Sequence, residues 1–304
     1  MASDRSTLQL LAECNFAPPG SGVVCAVSGG ADSLAMLALA SAAGCVPLAM
    51  HVDHRLRPSS GDDFAYVHKA AEQLGVEAKS VSVDVGDGPN LEARARTARH
   101  AALPPGTLFA HTADDRAETM LVNLLRGAGV DGLGVLDPDT HPILGLRRAD
   151  TEWVCEEFGF AYVHDITNMD TRFVRNRIRH EVLPLLRDVA GRDVVDLLAR
   201  TAALARVDTT FLNDAAAALE VSDAKALAVA PPALARRAVR QWCIVQQDHN
   251  ERYAPDLATV ERVLAVARGE ASGTDVGGGA RVERTQQRLR WIAPQSSEGG
   301  GSRV

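Results

Sequence analysis

The sequence predicts an α/β protein: a doubly wound parallel sheet followed by a smaller, mainly helical C-terminal domain. Three observations predict it. The apolar run Val23-Val24-Cys25-Ala26-Val27 delivers two glycines into a tight turn, Ser28-Gly29-Gly30-Ala31-Asp32-Ser33, which opens onto an alanine- and leucine-rich helical segment. Short apolar runs then alternate with helical patterns to about residue 125, the βαβα succession of a parallel sheet. Beyond Gly191 the chain turns alanine- and leucine-rich with helical spacing, as a separate helical domain would.

The first strand ends in the glycine turn. Small residues there let backbone N–H groups approach an anion, and the helix start adds more donors. The turn carries neither the lysine of a Walker A loop nor a Gly-x-Gly-x-x-Gly fingerprint. Val46 to Val52 is a second strand running into the polar cluster His51 to His54. Asp62 caps a helix through about Gln73, with Gly75 just past its end. Val81-Ser82-Val83 closes a third strand, and Leu91 to Ala102 is a helix stopped by Pro104-Pro105-Gly106. Thr107 to Ala110 is a short fourth strand, followed by a helix from about Asp114 to Leu125.

Ligands of such sheets sit beyond the carboxyl ends of the strands. Those ends carry Ser28 to Ser33, His51 to His54 and His111 to Asp115. Gly127 to Pro138 is a glycine-rich loop, and Asp150 to Phe158 a further helix. An irregular stretch, Asp165 to Asp170, leads to an arginine-rich helix from about Phe173. Domains are expected over 1–200 and 201–293, the second ending in a hairpin within 274–292, and 294–304 is expected to be a disordered tail.

At 304 residues, 46% apolar and 23% charged, the chain has room for two domains and the composition of a globular protein. A net charge of −7 argues against nucleic-acid binding over the whole surface while leaving room for a local basic patch. Five scattered cysteines, with no Cys-x-x-Cys, read as reduced thiols. With no apolar stretch of membrane-spanning length and no signal peptide at the N-terminus, a cytoplasmic protein is expected.

Three clusters carry candidate chemistry. In His111-Thr112-Ala113-Asp114-Asp115-Arg116-Ala117-Glu118-Thr119, Asp115 and Glu118 lie one turn apart and His111 can share their face. Such carboxylates either cap the helix or, as Asp32 with Asp115 or Glu118, hold a Mg²⁺ alongside a phosphate bound at the glycine turn. Arg126, at the end of that helix, either complements the dipole or neutralises charge on a phosphate held by the nearby turn. Arg172, Arg175, Arg177 and Arg179 run without a carboxylate until Glu181 and, with Asn176, suit nucleic-acid phosphates. Arg94, Arg96 and Arg99, with His100, follow Glu92 and divide between phosphate contact and internal pairing.

The Ser-Gly-Gly-x-Asp-Ser turn resembles the PP-loop of ATP pyrophosphatases, which split ATP into AMP and pyrophosphate. The ordered set is more specific. It comprises Ser28 to Ser33, His51-Val52-Asp53-His54-Arg55-Leu56-Arg57, Asn90-Leu91-Glu92 with Arg96 and Arg99, and His111 to Thr119. Arg126-Gly127-Ala128-Gly129, Asp165 to Asp170 and Arg175-Asn176-Arg177-Ile178-Arg179 complete it. Across about residues 22–190 the chain resembles the tRNA(Ile)-lysidine synthetase family, which implies a PP-loop, adenine nucleotide alpha hydrolase-like fold.

That resemblance implies ATP-dependent adenylation of the wobble cytidine in a CAU anticodon, followed by attack of L-lysine. It assigns the phosphates to Ser28, Gly29, Gly30, Ala31, Asp32 and Ser33, and the adenine to the neighbourhood of Met50 and Val52. Asp32 and Asp115 would organise Mg²⁺, Arg126 would be catalytic with Asp32, and lysine would meet Asp115, Glu118 or His111. The tRNA would meet Arg94, Arg96, Arg99, Arg172, Arg175, Asn176, Arg177 and Arg179, and the protein would act as a monomer or homodimer. Departures are Arg116 for a usual glutamine, His100 for a usual tyrosine, and His141-Pro142-Ile143-Leu144 for a usual Arg-Pro-Leu.

Overall fold

A computed structural model describes residues 6–53, 60–86, 91–163, 172–247 and 254–294, without the side chains of 60–62 and 91–93. His54 to Arg57, Asn90, the Leu91 and Glu92 side chains, Asp165 to Asp170 and the tail beyond Pro294 therefore lie outside the described residues. The chain divides into two compact units, Met1–Arg206 and Val207–Val304.

In the first unit α1 (Thr7–Leu11) precedes three parallel strands, β1 (Gly22–Ala26), β2 (Val46–Asp53) and β3 (Glu77–Ser82), in the order β1-β2-β3. Cys25 pairs with Ala49, and Met50 with Lys79. The expected strand at Thr107 to Ala110 is reduced to one parallel bridge, Cys25 to Leu108, on the free side of β1. Leu108 still exchanges two backbone hydrogen bonds with β1: its N–H donates to Val24 O at 2.7 Å, and Ala26 N–H donates to its carbonyl at 2.9 Å. The chain thus goes outward by two crossovers and returns past β1, the reversal of direction that opens a ligand crevice. Pro104, Pro105 and Gly106, a tight turn just before it, leave the segment little length in which to form a ladder.

Between β1 and β2 lies α2 (Ala31–Ala42), in which Ser33 to Ala40 are all buried. A helix apolar on every side must be covered on every side. Its partners include α3 (Ser60–Leu74) and α7 (Arg148–Glu157) as well as β1 and β2. The packing of α7 on α2 is what later brings Thr151 to Asp32. After α4 (Leu91–Ala102) come α5 (Ala113–Leu125) and α6 (Val130–Leu133). Beyond α7, α8 (Val174–Arg177) runs through a π-helical turn (Ile178–Val182) into α9 (Leu183–Ala190), and α10 (Val195–Ala217) carries the chain onward.

The second unit holds α11 (Ala224–Val229), α12 (Pro232–Gln246) and α13 (Leu257–Arg268). Its last segment is a three-stranded antiparallel meander rather than the expected hairpin: β4 (Gly273–Gly277), β5 (Ala280–Thr285) and β6 (Arg288–Ile292). The additional turn falls at Gln286-Gln287, both at positive φ, a conformation matching the twist of a two-residue hairpin and one that composition does not advertise for glutamine. Val239, Val263, Val266 and Val282 form its core, with Trp242 edge-on to Trp291 at 5.8 Å.

Candidate active site

The glycine turn is held from inside. Ser33 Oγ accepts from the Ser28 backbone N–H at 3.1 Å, donates to Gly30 O at 2.9 Å and lies 3.3 Å from Ser28 Oγ. Gly29 sits at φ +85°, where a Cβ would also stand 3.1 Å from Asp63 O, so the position admits glycine on both counts. Gly30 is the N-cap of α2 and makes no side-chain cap, so the first N–H groups of that helix face the turn's opening. Met50 and Val52, half-buried, stand at the carboxyl end of the neighbouring strand β2.

Asp32, in the first turn of α2, is positioned from α7. Its Oδ1 accepts a short hydrogen bond from Thr151 Oγ1, and its Oδ2 lies 3.8 Å from Arg148 Nε. Burial first, and the Asp115 charge second, push the Asp32 carboxyl up to about 6 against the pull of Thr151, Arg148 and Arg179. Arg148 then spans to α5, its Nη2 reaching Asp115 Oδ1 at 3.1 Å and Glu118 Oε1 at 3.4 Å. One guanidinium thus joins all three carboxylates.

Asp115 also closes the capping box of α5. Its Oδ2 accepts from the Thr112 N–H at 2.9 Å and from the Thr112 hydroxyl at 3.0 Å. This carboxylate therefore does cap the helix, and its Oδ1 is left to Arg148 and Arg175. Burial alone would raise the Asp115 carboxyl, but Arg148, Arg175, His111 and the Thr112 N–H outweigh it and hold the group at about 2. Glu118, fully buried, is gripped by Arg175 Nε at 2.9 Å and Arg179 Nε at 2.7 Å. Burial brings the His111 imidazole down to about 4 despite the neighbouring Asp115, and its Nδ1 is a buried atom with no hydrogen-bond partner among the described residues.

The arginine-rich segment differs from its sequence reading. Arg175 and Arg179, four residues apart on one face, turn inward onto Asp115 and Glu118, and Arg177 pairs with Glu181 at 2.8 Å. Asn176 is buried, so it offers no surface contact. The run is unbalanced along the chain but balanced in space, because its carboxylates come from α5, 57 and 61 residues earlier. Arg172 is exposed, as are Arg96, Arg99 and Arg126, and Arg94 donates to Val85 O and Gly86 O at 3.3 Å. Arg126 caps α5 ahead of a loop tied back by Asn123 Nδ2 donating to Gly132 O at 2.6 Å.

Arg147, Arg148 and Thr151 escape the sequence reading. Two arginines opening a helix oppose its dipole, and that anomaly was the available signal. Asp114 resolves it by holding Arg147 at 3.1 Å through both oxygens and accepting the Arg148 N–H at 2.9 Å. As a magnesium ligand Asp32 fits, since among the described residues its Oδ2 has only the 3.8 Å contact. Asp115 does not fit in this arrangement, because both of its oxygens are occupied by guanidinium or Thr112 donors.

A model of the PP-loop domain family matches residues 2–186. Among curated proteins the chain is 39% identical over 293 residues to the tRNA(Ile)-lysidine synthase of Rhodococcus erythropolis, covering 89% of each. It is 37% identical over 280 residues to the protein of that name from Mycobacterium tuberculosis, covering 85% of each. A solved structure, the U34-tRNA thiolase NcsA from Methanococcus maripaludis with its [4Fe-4S] cluster, superposes with a TM-score of 0.52. At 16% identity over 66% of this chain and 78% of that one, this likeness shows the fold alone.

Proposed function

The chain belongs to the tRNA(Ile)-lysidine synthase family of PP-loop proteins, and from that premise we propose that it converts the wobble cytidine of a CAU-anticodon isoleucine tRNA to lysidine. The cytidine C2 oxygen attacks the α-phosphorus of ATP, and pyrophosphate leaves. The amine of L-lysine, having lost a proton, then attacks C2, the C2–O bond breaks and AMP departs. One observation carries the reading. The glycine turn and the carboxylate–arginine cluster meet at one sheet edge, joined through Asp32 and Arg148.

In this reading Ser28 to Ser33 bind the phosphates through backbone N–H groups and hydroxyls, with the adenine near Met50 and Val52. Magnesium, when bound to Asp32 and phosphate oxygens, offsets charge on the polyphosphate. Arg148 and Arg126 offer positive charge to the leaving pyrophosphate, where charge develops. Arg175 and Arg179 fix Asp115 and Glu118 as a preorganised wall, and beside it His111, whose buried Nδ1 has no partner among the described residues, is the candidate acceptor for the lysine ammonium. Arg96, Arg99, Arg172 and Arg177 are the exposed candidates for RNA phosphates.

Sulfur insertion, the rival chemistry on such a sheet, needs ionisable thiols. Here burial pushes the Cys14, Cys25 and Cys155 thiols up to about 12, and Cys243 to about 11. Among the described residues no helix is long and apolar enough to cross a membrane. In this reading the enzyme acts on tRNA in the cytoplasm, as a monomer or homodimer. Incubation with ATP, radiolabelled lysine and mixed tRNAs tests the reading. Label is expected in an isoleucine tRNA, and label-free tRNA would overturn it.

A further inference from the structure

A cavity of about 260 Å³ opens between the start of α5, the Leu144–Arg147 segment and α10, and no residue of the glycine turn, nor Asp32, Asp115 or Glu118, lines it. Its lining carries three arginines, Arg116, Arg147 and Arg200, against two carboxylates, Glu13 and Asp196. Arg147 is fully matched, by Asp114 and Asp193 at 3.1 Å and Asp196 at 3.3 Å. Arg116 is half-buried and has no ion-pair or hydrogen-bond partner for its side chain among the described residues; the same holds for Arg200, which is exposed.

Arg206, the cation that acts on Arg116, already has its own partner, Asp137, at 2.6 Å. Burial first, then the Arg206 charge, draw the Arg116 guanidinium below its usual pKa. Five N–H donors in a half-buried, like-charged setting are costly to leave without an acceptor. The planar fork of a guanidinium is matched best by a tetrahedral oxyanion. Glu13 and Asp196 leave the lining only modestly positive, which favours a single phosphate group over a polyphosphate.

We propose that this cavity is a phosphate-binding site separate from the ATP site, in which Arg116 and Arg200 take one phosphate group, borne by an RNA backbone or free as inorganic phosphate. The RNA source rests on the reading of the chain as a tRNA-modifying enzyme; the free-anion source does not. The full-length chain and its Arg116→Gln and Arg200→Gln variants are compared in two measurements. One is retention of a CAU-anticodon tRNA transcript across a salt series; the other is calorimetric titration with inorganic phosphate.

For an RNA phosphate, each variant weakens tRNA binding roughly five- to tenfold at low salt and lowers the slope of log K against log salt by about one. For a free anion, the wild type binds inorganic phosphate saturably, Arg116→Gln abolishes that binding, and tRNA affinity is unchanged. If neither tRNA nor phosphate distinguishes variants from wild type, the site is refuted. Lysine transfer to tRNA by the same preparations separates that failure from failure of the enzyme assignment.

Discussion

Arg179 Nε stands 2.7 Å from Glu118 Oε1, and Glu118 has no exposed surface at all. The pair ties the π-helical turn to the middle of α5. With Arg175 on the other Glu118 oxygen and Arg148 arriving from α7, three elements are fastened around one carboxylate. Replacement by glutamine leaves three guanidinium groups facing a neutral amide. Removing one partner of a buried pair costs about 3–5 kcal/mol. Because these arginines are 21–34% exposed, the lower end is expected: Glu118→Gln should lose about 3 kcal/mol in urea unfolding. Wild-type stability in that variant would mean the cluster does not fasten the fold.

Asp32 and Asp115 pull stability in opposite directions with pH. The Asp32 carboxyl is raised from 3.8 to about 6, so the folded state holds its proton more tightly than the unfolded chain. Stability from this source is present below about pH 4 and is lost as pH rises to about 6. Asp115 is lowered from 3.8 to about 2, so its contribution is present above pH 4 and is lost as pH falls toward 2. Asp32→Asn should therefore stabilise the ligand-free protein by about 2 kcal/mol at pH 7.5 and by nothing near pH 3.5, while abolishing activity. Equal unfolding midpoints for the variant and wild type at pH 7.5 would contradict this.

Thr151 positions Asp32 rather than touching substrate. Its hydroxyl hydrogen bond lowers the Asp32 pKa, so losing it should move the acid limb of the pH–rate profile upward from about 6. Thr151→Val should show that movement with a reduced kcat, and Thr151→Ser should restore both. An unmoved acid limb in the valine variant would remove Thr151 from the account.

Gly29→Ala places a Cβ at positive φ and 3.1 Å from Asp63 O. A loss of about 1–2 kcal/mol in stability is expected, with weaker ATP binding measured by calorimetry. Unchanged ATP affinity would mean the turn does not cradle phosphate.

The glycine turn, the parallel crossovers and the helix bearing Asp115 and Glu118 were legible because each is a local pattern. Arg148 and Thr151 were not, since their importance exists only once α7 packs on α2 and meets residues 33 and 119 positions away. The arginines at 175 and 179 misled for the same reason in reverse: a charge run looks solvated until a distant helix supplies its counter-ions. Of the expected fourth strand only the parallel bridge of Leu108 to Cys25 is formed, and Gln286-Gln287 made a turn that composition did not announce.

The most direct test of the central claim, adenylation of the RNA before lysine attack, uses ATP labelled at the α-phosphorus, with tRNA present and lysine withheld. The account predicts label joined to the CAU-anticodon tRNA, released as AMP once lysine is added, and absent with Asp32→Asn. Label that stays in ATP until lysine is added, or that passes to lysine rather than to RNA, would contradict it.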